Sequence, residues 1–203
     1  SDQALADDLQ RIGLSARHLL DLVRNVLDLS AIEAGRMMLH PEAIELAPLL
    51  GQVRAALQPL AEQQGSAIGL ACADDVGVLE VDVVRLRQVL INLVGNAVKF
   101  TRDGTITLSA ARVRRAGQTR VEIAVADTGI GIPQQRLDEL FQEFARVGSP
   151  TSKVEGAGLG LVVSRRLIEL MGGEIQVRSE VDRGSVFTIH LPLQLPGRGD
   201  ARS

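Results

Sequence analysis

The sequence contains very few aromatic residues and almost no cysteine. Among its 203 residues there are four Phe, no Trp, no Tyr and one Cys. The single cysteine, Cys72, excludes a disulfide framework and a cysteine-based metal site. A core must therefore be built from Leu, Val, Ile and Ala, and the hydrophobic fraction of 45% is sufficient for that. The length suits one well-buried domain, alone or with a helical appendage.

The sequence also lacks an excess of positive charge and a long apolar run. Its net charge of −3 argues against nucleic acid as a partner, because neutralising phosphates requires clustered Lys and Arg. No apolar run approaches the roughly 20 residues needed to cross a bilayer, and no signal peptide is recognisable. We therefore expect a soluble, cytoplasmic chain, while a membrane-anchored parent protein stays open.

Residues 3–34 carry the pattern of one long amphipathic helix that ends at Gly35. Its apolar residues recur at alternating spacings of four and three, as in a coiled coil or helical bundle: Leu5, Leu9, Ile12, Ala16, Leu19, Val23 and Val26. Leu20, Leu27 and Leu29 widen this stripe, which favours packing against several helices. The stripe needs a partner surface. Self-association is one interpretation, and docking on the chain's own domain is the other.

After Gly35 the pattern alternates between strands and helices. Predicted helices cover Leu46–Gln64, with a kink at Pro59, the segment from the N-cap Asp82 to Phe100, and Gly158–Met171. Predicted strands cover Met37–Leu46, Ser66–Ala71, Val76–Val81, Thr105–Val113, Arg120–Asp127, Glu174–Ser179 and Ser185–Leu191. Between Thr128 and Gly156 the pattern is weak, with one short helical piece around Gln134–Phe144. Such a stretch inside a compact domain predicts a mobile functional lid over residues 129–157.

Two asparagines lie on one face of the helix that follows Asp82. Asn92 and Asn96 are four residues apart, so one side chain lies above the other. Asn is a poor helix former and needs hydrogen-bond or metal partners on an apolar helix. A carboxamide oxygen suits Mg²⁺, which prefers oxygen ligands and shares them with nucleotide phosphates; capping of a neighbouring loop is the alternative. Lys99 follows one turn beyond Asn96, within reach of a phosphate.

An aspartate and two glycines follow at the end of a strand, in Asp127-Thr-Gly129-Ile-Gly131. A carboxylate at this point could accept a hydrogen bond from the exocyclic amine of adenine, although an Asp before a Gly turn is commonly only a turn residue. Phe141 and Phe144 are three residues apart. They either anchor the lid to the core or contact a base.

Three glycines precede the last helix, in Gly156-Ala-Gly158-Leu-Gly160. The free N–H groups and the dipole of a helix start favour an anion there. The dinucleotide-binding fingerprint has similar spacing, but it follows the first strand of a βαβ unit. This segment follows the weakly patterned stretch near the end of the chain, so we reject that interpretation.

In this order the four blocks resemble the catalytic part of bacterial two-component sensor histidine kinases. Residues 88–101 resemble the N box of the family, 127–132 its G1 box, 140–144 its F box and 155–161 its G2 box, while 18–35 resembles the second helix of its dimerisation domain. The resemblance implies a two-layer α/β sandwich of the histidine-kinase/gyrase-type ATP-binding fold, with a mixed sheet of about five strands, preceded by one long amphipathic helix. It divides the chain into a partial dimerisation helix (1–35), a catalytic ATP-binding domain (36–195) and a tail or linker (196–203).

The resemblance also implies ligands, partners and roles. Asn96 would hold Mg²⁺ with support from Asn92, Lys99 would contact phosphate, and Asp127 would bind the adenine amine. The implied ATP site comprises Asn92, Asn96, Lys99, Asp127, Gly129, Gly131, Phe144, Lys153, Gly156, Gly158, Leu159 and Gly160. The activity would be transfer of the γ-phosphate of ATP to a histidine. The implied partners are a response regulator receiver domain and, in the full-length protein, a second copy bound through the N-terminal helix.

None of the three histidines lies in a segment like the phospho-acceptor segment of the family, which is a His followed by Glu or Asp and then Arg-Thr-Pro. His18 is followed by Leu-Leu-Asp, His40 by Pro-Glu and His190 by Leu-Pro. The family's segment would precede residue 1. The resemblance therefore predicts a piece of a longer protein that binds ATP without labelling itself, and a naturally acceptor-less protein is the alternative.

Two other functions compete with phosphoryl transfer. Gyrase-, chaperone- and mismatch-repair-type ATPases share this fold but carry a Glu, as general base for water, four residues before the metal-binding Asn. Asn92 occupies that position here, and an amide does not take up a proton near neutral pH. The second competitor is a non-catalytic nucleotide-binding or dimerisation module. The intact motifs favour phosphoryl transfer over both.

Overall fold

The chain forms one long helix followed by an α/β domain. The computed structural model describes residues 2–73, 76–115, 117–142 and 159–194. The helices are α1 (Asp2–Glu33), α2 (Leu46–Gln63), α3 (Val83–Phe100), α4 (Gln134–Leu137) and α5 (Gly160–Leu170). The strands are β1 (Glu42–Glu45), β2 (Ala67–Cys72), β3 (Val78–Val81), β4 (Thr105–Arg115), β5 (Gln118–Asp127), β6 (Glu174–Glu180) and β7 (Gly184–Pro192).

Five strands form a mixed sheet in the order β2-β4-β5-β7-β6. β2 runs parallel to β4, and the other neighbours are antiparallel. Helices α2, α3 and α5 pack against one face of this sheet. The residues that point to that face are apolar and buried: Ile106, Leu108, Ala110, Val121, Ile123, Val125, Phe187, Ile189 and Leu191. The predicted two-layer α/β sandwich with a mixed five-stranded sheet is confirmed.

The central helix α3 begins and packs as its sequence predicts. Asp82 caps it, since its Oδ1 accepts the backbone N–H of Arg85 at 3.0 Å. A shared apolar face is buried against the sheet, α2 and α5: Leu86, Val89, Leu90, Leu93, Val94 and Ala97. This packing leaves the asparagine-bearing face of α3 directed away from the core.

One strand prediction differs from the structure. The strands predicted on either side of residues 74 and 75 both exist: β2 joins β4 in the main sheet, and β3 pairs with β1 in a separate two-stranded sheet. The strand predicted over Met37–Leu46 is reduced to Glu42–Glu45. One reason is that the N–H of His40 donates to Asp82 Oδ2 at 2.9 Å rather than to a neighbouring strand.

Helix α1 docks on the domain near its end. Leu29 is 8% exposed, and the carboxylate of Asp28 accepts hydrogen bonds from Arg85 Nη1 at 3.1 Å and Gln88 Nε2 at 2.7 Å. Most of the other large apolar side chains described on α1 are exposed: Leu9, Ile12, Leu19, Leu20, Val23, Val26 and Leu27. Ile32, near the end of the helix, packs against the core. Docking on the domain therefore covers the apolar side chains in the last turns of α1. Self-association through the rest of the apolar stripe stays a prediction. None of the described helices, α1 included, is both long and apolar enough to cross a membrane.

The weakly patterned stretch is described up to Gln142. Helix α4 ends at Leu137, earlier than predicted, because the chain then continues in tighter turns. Leu140 donates its N–H to the Leu137 carbonyl at 3.3 Å, and Gln142 donates to Glu139 at 2.9 Å. The rest of the predicted lid, residues 143–157, lies outside the described residues.

Candidate functional site

The carboxylate of Asp127 is held at the end of β5 by two backbone N–H groups. Its Oδ1 accepts the N–H of Gly129 at 2.9 Å, and the N–H of Ser185 on β7 also donates to this carboxylate. Burial raises the pKa of Asp127, and this effect outweighs the lowering by the two hydrogen bonds. A carboxylate has about four acceptor positions, so Asp127 retains acceptor capacity for a ligand.

The glycines after Asp127 are required by close contacts. A side chain at Gly129 would collide with the carbonyl group of Phe100 at the end of α3, and one at Gly131 would collide with the carbonyl group of Glu180. Gly131 also has a φ of +65°, which favours glycine. The N–H of Ile130 donates to the Phe100 carbonyl at 3.3 Å. The turn is thus fixed between α3 and the β6–β7 hairpin.

Further along α3, Asn92 contacts the start of α5. Its Nδ2 donates to Ser164 Oγ at 2.9 Å, and its Oδ1 lies where a side chain at Gly160 would be. Because α5 begins at Gly160, directly after the buried Leu159, the first N–H groups of α5 have no acceptor within the helix. The structure therefore brings the first asparagine together with the end of the third glycine motif.

Asn96 and Lys99 lie between these two contacts. Asn92, Asn96 and Lys99 share one face of α3, since they are four and then three residues apart. The contact at Asn92 and the contact at Phe100 are about 12 Å apart along the helix, from eight residues of 1.5 Å rise. Asn96 is half-buried midway, and Lys99 Nζ is 5.6 Å from the Phe100 ring centroid. One strip along α3 is thus lined by the amide of Asn96, the ammonium group of Lys99, the carboxylate of Asp127 and the start of α5.

A divalent cation in this strip would need ligand oxygens in addition to those of the protein. Within the described ranges, no three His, Cys, Asp or Glu side chains come together as a metal site. The amide oxygen of Asn96 is a suitable oxygen donor for Mg²⁺. The oxygen donors of the strip therefore fit a cation that is bound jointly by the protein and by phosphate groups, rather than a cation that is enclosed by protein ligands alone.

Phe141 is partly buried at the edge of the core. It packs against the buried cluster, and the guanidinium carbon of Arg165 lies 5.4 Å from its ring centroid. These contacts support the anchoring interpretation for Phe141. The predicted site residues Phe144, Lys153, Gly156 and Gly158 lie outside the described residues.

Two buried serines in the site were missed by sequence reasoning. Ser164 could have been found, because it lies one turn after Gly160 and is the polar member of an otherwise apolar buried face: Val162, Val163, Leu167 and Ile168. Ser185 could not, because its contact with Asp127 depends on the pairing of these two residues across β5 and β7.

Comparison with known proteins identifies the family. Residues 81–195, more than half of the chain, match the family described as Histidine kinase-, DNA gyrase B-, and HSP90-like ATPase. The chain is 42% identical to the sensory/regulatory protein RpfC of Xanthomonas campestris pv. campestris, over 92% of this chain and 26% of that protein. It is 43% identical to the sensor protein GacS of Pseudomonas syringae pv. syringae, over 92% of this chain and 21% of that protein. The chain thus spans about a quarter or less of the length of these curated relatives.

Solved structures agree with this assignment. The crystal structure of full-length ShkA in complex with AMPPNP is similar with a TM-score of 0.78 and 35% identity, over 89% of this chain and 37% of that chain. The Acinetobacter baumannii histidine kinase AdeS shares the fold, with a TM-score of 0.75 and 24% identity, over 91% of this chain and 83% of that chain. The resemblance to sensor histidine kinases is confirmed, and the chain belongs to the family of histidine kinase-, DNA gyrase B- and HSP90-like ATPases.

Proposed function

We propose that this chain is the ATP-binding catalytic part of a sensor histidine kinase and that it transfers the γ-phosphate of ATP to a histidine in two-component signalling. The observation that carries the proposal is the strip along α3, which has the Asp127 turn at one end and the start of α5 at the other. The matched family and its sensor-kinase members support the same function.

The chemistry of the strip fits a nucleotide bound along α3. The Asp127 carboxylate is an acceptor for the adenine amine, and the N–H groups at the start of α5 suit phosphate oxygens. Asn96 holds Mg²⁺, Asn92 supports it, and Lys99 contacts a phosphate. Gly129 and Gly131 shape the adenine end. From the resemblance we add Phe144, Lys153, Gly156 and Gly158, with residues 129–157 as a lid.

The residues of this chain act by binding and orientation. Phosphoryl transfer depends mainly on positioning and on charge stabilisation. Mg²⁺, when bound, neutralises the charge that develops on the phosphates. Asn92, an amide, gives no general base for water, so hydrolysis of the gyrase or chaperone type is not favoured. The acceptor of the phosphoryl group is a histidine of the family's acceptor segment.

We further propose two protein partners. A response regulator receiver domain would take the phosphoryl group from the histidine. A second copy of the protein would pack against the exposed apolar stripe of α1, which supports homodimerisation. With ATP as the substrate, we place the chain in the cytoplasm.

Titration calorimetry with ATP, in the presence of Mg²⁺ and in the presence of a chelator, tests the proposal. The parent chain should bind Mg-ATP. Asn96→Ala should weaken Mg-ATP binding about tenfold or more and change metal-free ATP binding much less, because only the metal contact is lost. Asn25→Ala on α1 is the matched control and should bind like the parent. Equal losses with and without Mg²⁺ would remove Asn96 from the metal role, and no binding by the parent would overturn the function.

A further inference from the structure

Helix α5 contacts both ends of the Asn92 carboxamide. Nδ2 donates to Ser164 Oγ at 2.9 Å, and Oδ1 lies against Gly160, which has no room for a side chain on that side. Gly160 and Ser164 are four residues apart, so they lie one above the other on the same face of α5. Each end of the amide therefore faces one of these two small residues.

The orientation of this amide matters because its two ends have opposite hydrogen-bonding character. Oδ1 is an acceptor, whereas Nδ2 is a donor. A serine hydroxyl both donates and accepts, so the hydrogen bond alone would permit either orientation. The start of α5 carries the positive end of the helix dipole and unpaired N–H groups. The oxygen is therefore favoured beside Gly160, and the NH₂ group is favoured beside Ser164.

Ser164 is well placed to maintain this orientation. It is 2% exposed, so no bulk water competes for its hydroxyl. Asn92 itself is half-buried on α3, at the open side where α3 and α5 meet. Without the hydroxyl, the NH₂ group of Asn92 would lose its hydrogen-bond partner on α5.

We propose that Ser164 is a positioning residue for nucleotide binding. Its hydroxyl holds Asn92 with Oδ1 directed to the start of α5, where the phosphates and their Mg²⁺ bind. The inference rests on the proposed function. Ser164 acts through Asn92 and does not itself contact the ligand. Because Asn92 supports the Mg²⁺ that Asn96 holds, the loss of the Ser164 hydroxyl reduces the Mg²⁺-dependent part of nucleotide affinity, as the loss of an outer-shell partner does.

The experiment measures the affinity for AMPPNP by titration calorimetry, with Mg²⁺ and with a chelator, for five proteins: the parent, Ser164→Ala, Ser164→Thr, Asn92→Ala and the double variant. We expect Ser164→Ala to lose about tenfold in Mg²⁺-dependent affinity and less than about twofold in the chelator. Ser164→Thr keeps the hydroxyl and should recover most of the loss. In the Asn92→Ala background, Ser164→Ala should have no further effect.

Ser66→Ala is the matched control. Ser66 is also buried, and its hydroxyl donates to the Thr101 carbonyl at 3.3 Å and accepts the Gly104 N–H at 3.2 Å. It contacts Thr101, directly after α3, about 13.5 Å from Asn92, from nine residues of 1.5 Å rise. Ser66→Ala should lower the melting temperature without changing the ratio of affinities with and without Mg²⁺.

Two outcomes would overturn the inference while leaving the function intact. In the first, the parent binds Mg-AMPPNP and Ser164→Ala has the same ratio of affinities with and without Mg²⁺ as the parent. Ser164 would then only join α3 to α5. The other is a further loss in the double variant equal to that in the parent background. If the threonine variant fails to fold, as judged by circular dichroism, the double-variant comparison decides alone. A parent that binds no nucleotide would overturn the proposed function itself.

Discussion

Asp127 is less stable as an ion in the folded protein than in water. Its pKa is raised from the ordinary value of 3.8, chiefly by burial. The folded state therefore keeps this proton over a pH range in which the unfolded chain has released it. The contribution of Asp127 to the free energy of unfolding falls as the pH rises from 3.8 through the raised pKa. Above the raised pKa the ionised carboxyl group destabilises the empty protein, and the proposed contact with adenine would compensate for this.

Asp127→Asn should separate stability from binding. At pH 7 we expect a melting temperature higher by up to about 4 °C, because the buried charge is gone while an oxygen still accepts the Gly129 N–H. Below pH 3.8 the difference should vanish. Adenine nucleotides should bind about 1.5–3 kcal/mol more weakly, since the amide can present a donor where the adenine amine needs an acceptor.

Calorimetric melting across pH, with ATP and GTP titrations at pH 7, checks this prediction. Asp138→Asn is the control, because Asp138 is exposed, and it should behave like the parent. An unchanged preference for ATP over GTP in Asp127→Asn would show that Asp127 does not bind the base.

At this scale, the sequence was most informative where residue type and local spacing decide the chemistry. Asn92 and Asn96 on one helix face, and Asp127 at a strand end, were found in this way. Ser185 was not, since nothing in its own neighbourhood indicates that β7 pairs with β5. The contact of Gly129 with Phe100 depends likewise on how α3 packs beside the sheet.

The last turns of α1 are tied to the helix that carries the two asparagines. Asp28 binds Arg85 and Gln88 of α3, and Gln88 lies one turn before Asn92. The side chains of Arg85 and Asp28 are 28% and 18% exposed, so water screens their interaction only in part. This ion pair and the burial of Leu29 join α1 to the domain.

We expect Asp28→Ala to weaken the docking of α1 by about 1.5–3 kcal/mol, the value of a hydrogen bond to a charged group. Hydrogen exchange should become faster in residues 24–33 and stay unchanged in β5 and β7. Asp21→Ala is the matched control on the same helix. Its contact with Arg24 is 4.0 Å long and exposed, so its loss should cost at most about 1 kcal/mol. Similar exchange in both variants would show that Asp28 does not hold α1.

Helix boundaries were more predictable than strand partners because caps and stops are local. Asp82 caps α3, and Gly35, with a φ of +61°, follows the end of α1. The separation of β2 and β3 into two sheets results from distant segments, β4 and β1. In α1, periodicity identified the apolar stripe, but it could not indicate that Leu29 would be buried while Leu27 stays exposed. That choice depends on where the domain meets the helix.

At the scale of the whole molecule, the three histidines differ in their surroundings along the chain. His190 is 4% exposed, with Nε2 at 3.0 Å from Glu122 Oε2 and a ring nitrogen at 3.0 Å from Arg115 Nη1. An imidazole enclosed in this way has no free path to a γ-phosphate. His40 lies in the segment between α1 and β1, and His18 lies within α1. Neither is in a sequence like the acceptor segment of sensor histidine kinases.

This chain alone should therefore bind ATP without labelling itself. None of the three histidines lies in a segment like the family's acceptor segment, so we expect the large contribution of positioning to the rate to be missing, and Asn92 gives water no general base. Radiolabelled γ-phosphate incubated with the chain should leave no acid-labile label. Adding a separate helical hairpin that carries the acceptor segment should give label on the hairpin, and Asn96→Ala should greatly reduce it. Stoichiometric acid-labile label on His18, His40 or His190 would contradict the prediction, and label lost in His18→Gln would make α1 itself the acceptor helix.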